Sequence, residues 1–450
     1  MSNWQTVTLE EVTESINTGL DAIRRAPIVE HKTNLRCLRI QDISQDKSFN
    51  EWGFTETKKS DYDKYKLISG DIIIARTGGS IGVNKLIRND LESVFNNGLA
   101  RIRVNKNFAT PEFIYCVMQS INFKSHINAI SSGTAAQPNM KVGDMSKFEF
   151  KLPPLNEQKK ITETIFAFID KIQLNTQINQ TLEQIAQAIF KSWFVDFDPV
   201  RAKAAALADG KNQAEAELAA MSAISGKTAE ELTALEPERY AELAEIAAAF
   251  PSEMGEVDGV EVPRGWEVGI FADITQPRRE KVKNDPATVL SAVSSGELVK
   301  SEEYFTKQVF SKSIDKYLKV YQWDFAYNPA RINIGSIGLH ESEYLGAVSP
   351  VYEVFSVSDK YHWLMKRMIN LETTKIKIQT LCTGSVRQTL KLKDFQSIDC
   401  IIPDEKTISL FNRKWEEYRT LILKNNENTQ TLSEIRDLLL PRLLSGEINA

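Results

Sequence analysis

Two stretches of this 450-residue chain carry apolar side chains at alternating steps of four and three. One runs through Ile161, Ile165, Phe168, Ile172, Asn175, Asn179, Leu182, Ala186, Ile189 and Trp193. The other runs through Ile408, Phe411, Trp415, Tyr418, Ile422, Asn425, Thr429, Leu432, Arg436 and Leu439. A mean period of 3.5 with no internal Gly or Pro predicts two long coiled-coil helices, over residues 157–194 and 404–440. At 1.5 Å per residue the first would be about 57 Å long. Pro153-Pro154 and Pro403 precede the two helices, and Asp404-Glu405 supplies acid where a helix N-terminus favours it. Asn175 and Asn425 would sit at seam positions, where Asn costs stability and fixes register.

Elsewhere the period shortens. Residues 64–82 (KYKLISGDIIIARTGGSIG) place a turn at Ser69-Gly70-Asp71, then the β-branched run Ile72-Ile73-Ile74, then a Gly-rich loop. Residues 99–104 (LARIRV) alternate apolar and basic, as a half-exposed strand does. Pro111 opens a helix running to residue 127, residues 131–137 form a small-residue loop, and residues 148–152 form a short strand. Residues 202–250 are rich in Ala and Glu; breaks at Gly210, Gly226 and Pro237 predict two or three amphipathic helices, followed by a linker over 251–263.

Then the same grammar returns. Trp266-Glu267-Val268 echoes Trp4-Gln5-Thr6-Val7, Lys316-Tyr317 echoes Lys64-Tyr65, and Asp324 before FAYNPAR echoes Asp71 before IIIAR. Gly79-Ser80-Ile81-Gly82 recurs as Gly335-Ser336-Ile337-Gly338, while Gly133, Thr134 and Gln137 match Gly384, Ser385 and Gln388. Asp144 and Pro153 match Asp394 and Pro403. Such an ordered set marks a duplicated unit of about 190 residues. The expected fold is α+β: two similar mixed domains separated by two long antiparallel coiled-coil helices, with a pseudo-two-fold internal repeat. The boundaries fall at 1–152 (first domain), 153–200 (first long helix), 201–262 (acidic insert and linker), 263–402 (second domain) and 403–450 (second long helix and tail).

Charge refines this picture. The net charge is −5, yet residues 202–262 hold thirteen acids against four bases, or −9, so the remainder carries +4. The acid is confined to the insert, which reads as a solvated helical decoration. Charge alone neither requires nor forbids a nucleic-acid partner. Cys37, Cys116, Cys382 and Cys400 lie far apart with no paired spacing, which points away from a zinc site or disulfides and toward a reducing compartment. No basic region followed by an apolar run opens the chain, and no stretch is long and apolar enough to span a bilayer; a cytoplasmic protein without membrane contact is expected.

Catalytic signatures fail in turn. Asn328-Pro329-Ala330-Arg331 lacks the second Pro and the aromatic of an amino-methyltransferase loop. Gly226-Lys227-Thr228 ends like a phosphate-binding loop, but Met221 stands where the leading Gly belongs. His31, His126, His340 and His362 form no metal-ligand pair, and there is no nucleophile elbow. No catalytic or metal-ligating residue is assigned.

The ordered set LPPLNEQKKI (152–161), the long helix, KSWFVDFDPV (191–200), the repeated domain and RDLLLPRLLSGEI (436–448) resembles the specificity subunit of type I restriction-modification systems. The resemblance implies two target recognition domains, each reading one half of a split, asymmetric site in double-stranded DNA. It further implies that the helices act as a ruler and dock two methyltransferase subunits. Those subunits would bind S-adenosylmethionine and methylate adenine N6; restriction subunits, using ATP and Mg2+, would complete the complex. This chain would bind no cofactor itself. The seam residues, with Ile161, Ile165, Phe168, Ile172, Asn175, Leu182, Ile189, Trp193, Phe411, Trp415, Tyr418, Asn425, Leu432 and Leu439 at their centre, are the expected docking elements. Phe166, Phe190 and Trp193 are expected to be exposed without those partners.

Sequence is read in the major groove by Arg on guanine and by Asn or Gln on adenine, while phosphate contacts fix the register. The loops carrying such side chains nominate Lys58, Lys59, Arg76, Thr77, Ser80, Thr134 and Gln137 in the first domain. In the second they nominate Arg278, Arg279, Arg331, Asn333, Ser336, Ser385, Arg387 and Gln388. The competing reading is a coiled-coil scaffold whose end domains bind protein. A steep salt dependence of duplex binding separates the two, because counterion release accompanies only DNA binding.

Overall fold

The computed structural model describes residues 4–131, 139–305, 307–383 and 388–449. Its internal contacts gather into two units, Met1–Ile178 with Lys424–Ala450, and Asn179–Leu423. Each holds one mixed domain and a share of both long helices.

In the first unit the central sheet is antiparallel, ordered Thr13–Thr18, Leu99–Val104, Ile72–Ala75, Asn84–Leu86. The β-branched run is buried on both faces. Ile72 and Ile74 enter a core with Phe113 and Ile161, whereas Ile73 and Ala75 enter a second core with Trp52 and Phe95. That second core is closed by a smaller sheet ordered Ile28–Val29, Gly53–Thr55, Arg36–Leu38, Ser93–Phe95. Leu99–Val104 is therefore not half-exposed. Arg101 is only 3% exposed and donates to the carbonyls of Lys66 (3.0 Å) and Lys64 (3.2 Å). Burial holds its guanidinium below the usual arginine range.

The helix opened by Pro111 is two helices, Pro111–Gln119 and Ile121–Ser131. Ser120 makes the break. Its hydroxyl donates to the Val117 carbonyl at 2.7 Å and accepts from the Phe123 N–H at 3.2 Å, capping one helix and starting the next. Gln5–Thr8 pairs with Glu149–Leu152 and so brings the chain back to the first long helix.

The second unit repeats the plan. Its central sheet is antiparallel in the order Thr275–Arg278, Glu353–Val357, Asp324–Tyr327, Ile337–Leu339. Phe325 and Tyr327 face one core and Ala326 another. Glu267–Ile270 pairs with Asp399–Ile402, as the opening and closing strands do in the first unit.

The long helices are Leu155–Phe194 and Glu405–Leu444, 40 residues each. The second passes through Pro441 and so outruns the predicted end. Every residue of both seams is buried or half-buried. Within the first unit the pairing is antiparallel: Ile161 and Ile165 pack with Leu440 and Leu443, and Asn175 Nδ2 donates to Thr429 Oγ1 at 3.3 Å. Within the second, Phe194 meets Phe411 edge-on at 5.1 Å, and Asn179 Nδ2 donates to the Ile422 carbonyl at 3.4 Å.

The acidic insert differs most from expectation. It forms four helices, Asp198–Ala208, Gln213–Ser225, Ala229–Thr233 and Pro237–Ala249. Several acids are capping groups: Asn212 with Glu215, and Thr228 with Glu231, form reciprocal capping boxes. The presumed linker is a hairpin, Met254–Val257 against Val260–Pro263, turned by Asp258 and Gly259 with φ of 51° and 80°. Nor is the insert a solvated decoration. Phe250 packs edge-on against Trp193 at 5.1 Å, and the buried Lys203 Nζ donates to the Phe250 carbonyl at 2.7 Å. Glu242 and Glu245 pair with Lys414 and Arg413 of the second long helix, each at 2.8 Å. Phe190 and Trp193, expected on the surface, are 1% and 2% exposed.

Each domain is also pinned to a helix by charge, with opposite signs. Arg88, just after Asn84–Leu86, pairs with Asp170 at 2.6 Å. Its counterpart after Ile337–Leu339 is Glu341, which pairs with Arg419 at 3.1 Å and Lys366 at 2.6 Å. Burial alone would push the Glu341 carboxyl up, but Lys366 and Arg419 together hold it below the usual carboxylate range.

Two outcomes are expected. Phe250→Ala should destabilise the second unit by about 3–5 kcal/mol, as a core cavity does; a solvated decoration would lose about 0.5 kcal/mol at most. Equilibrium denaturation of the full chain distinguishes these. In double-mutant cycles, Glu341–Arg419, with side chains 30% and 18% exposed, should couple by about 2 kcal/mol. Arg88–Asp170, at 44% and 51%, should couple by about 0.5 kcal/mol.

Candidate nucleic-acid interface

Arg76, Thr77 and Ser80 lie between the strands of the first domain's central hairpin, Arg331, Asn333 and Ser336 between those of the second's, and each hairpin is rooted on a buried aspartate. Asp71 accepts from the Ile68 N–H at 3.0 Å, and Asp324 from the Tyr321 N–H at 2.9 Å. A carboxylate at this depth needs a cation. Arg103 chelates Asp71, Nε to Oδ1 at 2.8 Å and Nη2 to Oδ2 at 3.0 Å. The second domain puts Ser356 opposite Asp324, so the cation comes from one strand further away. There Arg278 reaches Asp324, Nε to Oδ2 at 2.6 Å and Nη2 to Oδ1 at 3.1 Å. Burial pushes the Asp324 carboxyl up, against the pull of the Tyr321 N–H and Arg278. Arg278 is thus committed to the hairpin root and offers no free fork to a base.

The two hairpins share one register. Ile72 faces Leu86 and Ile74 faces Asn84; Phe325 faces Leu339 and Tyr327 faces Ile337, each 253 residues on (325 − 72). In that register Gly82 matches Gly335, and both adopt the left-handed conformation, with φ of 88° and 89°. The letter-for-letter match of Gly79–Gly82 with Gly335–Gly338 is therefore slipped by three residues. The last Gly has its own reason: a Cβ on Gly338 would come within 2.6 Å of the Glu297 and Leu298 backbone. Ser336 takes the place of Val83 and is 2% exposed, so it faces the interior rather than a ligand.

The other nominees lie nearer the hairpin tips or on the surface. Arg76 is half-buried, its guanidinium donating to the Asn97 carbonyl and to Asn139 Oδ1, both at 3.2 Å. Thr77 bridges to Asn139, and Ser80 ends a short 3-10 turn, Gly78–Ser80. Lys58 and Lys59 are exposed at the start of the helix Lys59–Tyr65. In the second domain Arg279 pairs with Glu353, while Arg331 is exposed and makes no ion pair among the described residues. Asn333 Nδ2 donates to Gln388 Oε1 at 3.3 Å and lines a cleft of about 310 Å³ with Lys366, Asn370, Lys375 and Gln379. Thr134, Gln137, Ser385 and Arg387 lie outside the described residues.

Sequence reasoning missed Asn139, which holds Arg76, because nothing in its spacing sets it apart from any loop Asn. The seam residues nominated for docking turn inward within each unit. Outward on the first long helix stand Leu174, Ile178 and Ile185; on the second, Leu421, Leu423, Ile435 and Leu438, all at least 38% exposed. Among the described residues no three His, Cys, Asp or Glu gather as a metal site, and no helix is long and apolar enough to cross a membrane. Burial pushes the Cys37, Cys116 and Cys400 thiols up to about 12.

Residues 1–184 match the family model of the type I restriction modification DNA specificity domain. Over 480 aligned positions the chain is 35% identical to the type I restriction enzyme HindI specificity subunit of Haemophilus influenzae, covering 100% of both. It is 22% identical over 394 residues to the MjaIX specificity subunit of Methanocaldococcus jannaschii, covering 84% of this chain and 77% of that one. The crystal structure of a type I restriction-modification S subunit from M. genitalium shares the fold, with a TM-score of 0.50 at 12% identity over 98% and 96% of the two chains. A duplicated hairpin scaffold with unlike polar tips is an arrangement suited to reading DNA sequence, and by its full-length likeness this chain belongs to the specificity subunits of type I restriction-modification systems.

Proposed function

We propose that the chain directs a methyltransferase and restriction complex to a split, asymmetric site in double-stranded DNA, each domain reading one half. The observation that carries this is the common register of the two hairpins, 253 residues apart, with different side chains at their tips. One scaffold used twice with unlike tips suits a protein that reads two unlike half-sites. Lys58, Lys59 and Arg331, exposed and outside any ion pair among the described residues, suit phosphate contacts; Arg76, Ser80, Asn333 and Gln388 suit base contacts. Double-stranded DNA is the ligand of this reading, and the chain itself performs no chemistry.

Two methyltransferase subunits dock on the outward apolar residues of the long helices, bind S-adenosylmethionine and methylate adenine N6. Restriction subunits supply ATP- and Mg2+-dependent translocation and cleavage. The helices set the length of unread DNA between the half-sites. The insert, welded to the second long helix, braces the second domain's attachment.

Co-expression with the cognate methyltransferase subunit in a methylation-free host, followed by genome-wide mapping of N6-methyladenine, should return two short unlike motifs around a fixed spacer. No methylation from a complex shown to assemble would refute the proposal. Inserting four residues in each long helix, beside Asn175 and Asn425, adds about 6 Å. At 3.4 Å per base pair the spacer should lengthen by about one or two base pairs with both half-sites unchanged. An unchanged spacer in that variant would show that the helices are not the ruler.

A further inference from the structure

The bond between Asn333 and Gln388 joins two loops 55 residues apart in sequence. The backbone beneath Gln388 is fixed on both sides. Thr383 and Thr389 exchange N–H···O bonds of 3.0 and 2.9 Å, and the Leu390 N–H donates to the Pro329 carbonyl at 3.1 Å. Asn333 sits at the tip of the hairpin loop, half-buried, and Gln388 is exposed. A carboxamide offers two N–H donors and an oxygen with two lone pairs. With one lone pair of Gln388 Oε1 taken by Asn333, the other lone pair and both Nε2 hydrogens have no partner among the described residues and can meet a ligand.

We infer that Asn333 and Gln388 act as one unit that reads an adenine in the second domain's half-site, with Gln388 in contact with the base and Asn333 as its positioning residue. The inference rests on the DNA-recognition reading above. Gln388 Nε2 donates to adenine N7 while its Oε1 accepts from N6–H, the bidentate match of an amide to adenine in the major groove. A lone amide turns over freely and would then set its donor against the N6 donor. In the pair, one amide turns only if the other does, because a flip of Gln388 alone sets two N–H groups face to face and a flip of Asn333 alone sets two carbonyl oxygens face to face. The unit is neutral and so suits a base edge better than a phosphate, and the exposed Arg331 beside it supplies positive charge for the backbone.

The first domain offers different chemistry at the same place. In the shared register Asn333 corresponds to Ser80 (333 − 253), and the loop is tied instead by Arg76 to Asn139 at 3.2 Å. The two loops are thus tied by different residues, Arg76 standing where the second domain has Pro329 (76 + 253), and these ties are where the two halves would differ in base choice.

The test compares wild type, Gln388→Ala and Asn333→Ala in the full complex with the methyltransferase, by mapping N6-methyladenine in a methylation-free host. In Gln388→Ala one adenine of one half-site should become degenerate, with discrimination falling about tenfold or more. The other half-site and the spacer should stay as they were. Asn333→Ala should relax the same position to a smaller degree. A motif unchanged in Gln388→Ala overturns the inference, and so does a uniform loss of methylation in both variants with no position relaxed, the mark of a structural role. If Gln388→Ala abolishes methylation altogether, Asn333→Ala decides by the same criterion. Absence of methylation with the wild-type complex strikes the functional reading itself, which is a different result from a strict motif that ignores Gln388.

Discussion

A carboxylate buried at the root of each central hairpin is the constraint from which the rest of each domain follows. Asp71 and Asp324 are about 1% exposed, and an unpaired charge at that depth would cost several kcal/mol. Each accepts from a backbone N–H and is paired with an arginine, Arg103 through two hydrogen bonds and Arg278 through one, its Nε also 2.6 Å from the carboxylate. The pairing fixes where the hairpin starts, and strand register then carries that position to the loop at its tip. The cation comes from Leu99–Val104 in one copy and Thr275–Arg278 in the other. The requirement has therefore outlasted the residue that meets it.

The long helices and the insert solve a different problem. A seam with a period of 3.5 buries only a stripe, leaving both helices dependent on what packs around them. In the second unit the insert adds Phe250 beside Trp193, and its glutamates face Arg413 and Lys414. The acid that dominates the insert's composition is thus partly spent on capping boxes and partly on the neighbouring helix, so net charge was a poor guide to its role.

Much of this was legible in the sequence. The seams, the duplication and the α+β class follow from periodicity and ordered matches, which average over many residues. What failed was local. The Gly-Ser-Ile-Gly match slipped by three because glycine recurs for separate reasons, positive φ at Gly82 and Gly335 and close backbone approach at Gly338. Arg101 looked half-exposed and Arg278 available because a chain of letters does not show which arginines a fold consumes. The hairpin at Asp258-Gly259 did carry a signal, a turn dipeptide favouring positive φ, which the surrounding acid obscured. Asn139 and the Asn333–Gln388 bond join residues more than fifty positions apart, and no local pattern announces such a meeting.

The opposite polarity of the two domain-to-helix attachments bears on how such a gene can change. A duplicated coding sequence invites recombination between its own halves, and a crossover that moved only a domain would part Arg88 from Asp170, or Glu341 from Arg419. The seams match at an offset of 250, which sets Thr420 where Asp170 stands and Ile169 where Arg419 stands, so neither transplanted charge would find its partner. The loss would be larger for the half-buried Glu341 than for the exposed Arg88. An exchange that keeps these contacts moves a domain together with the helix segment that answers its charge. The unit that moves without loss is then a cassette of domain and mount.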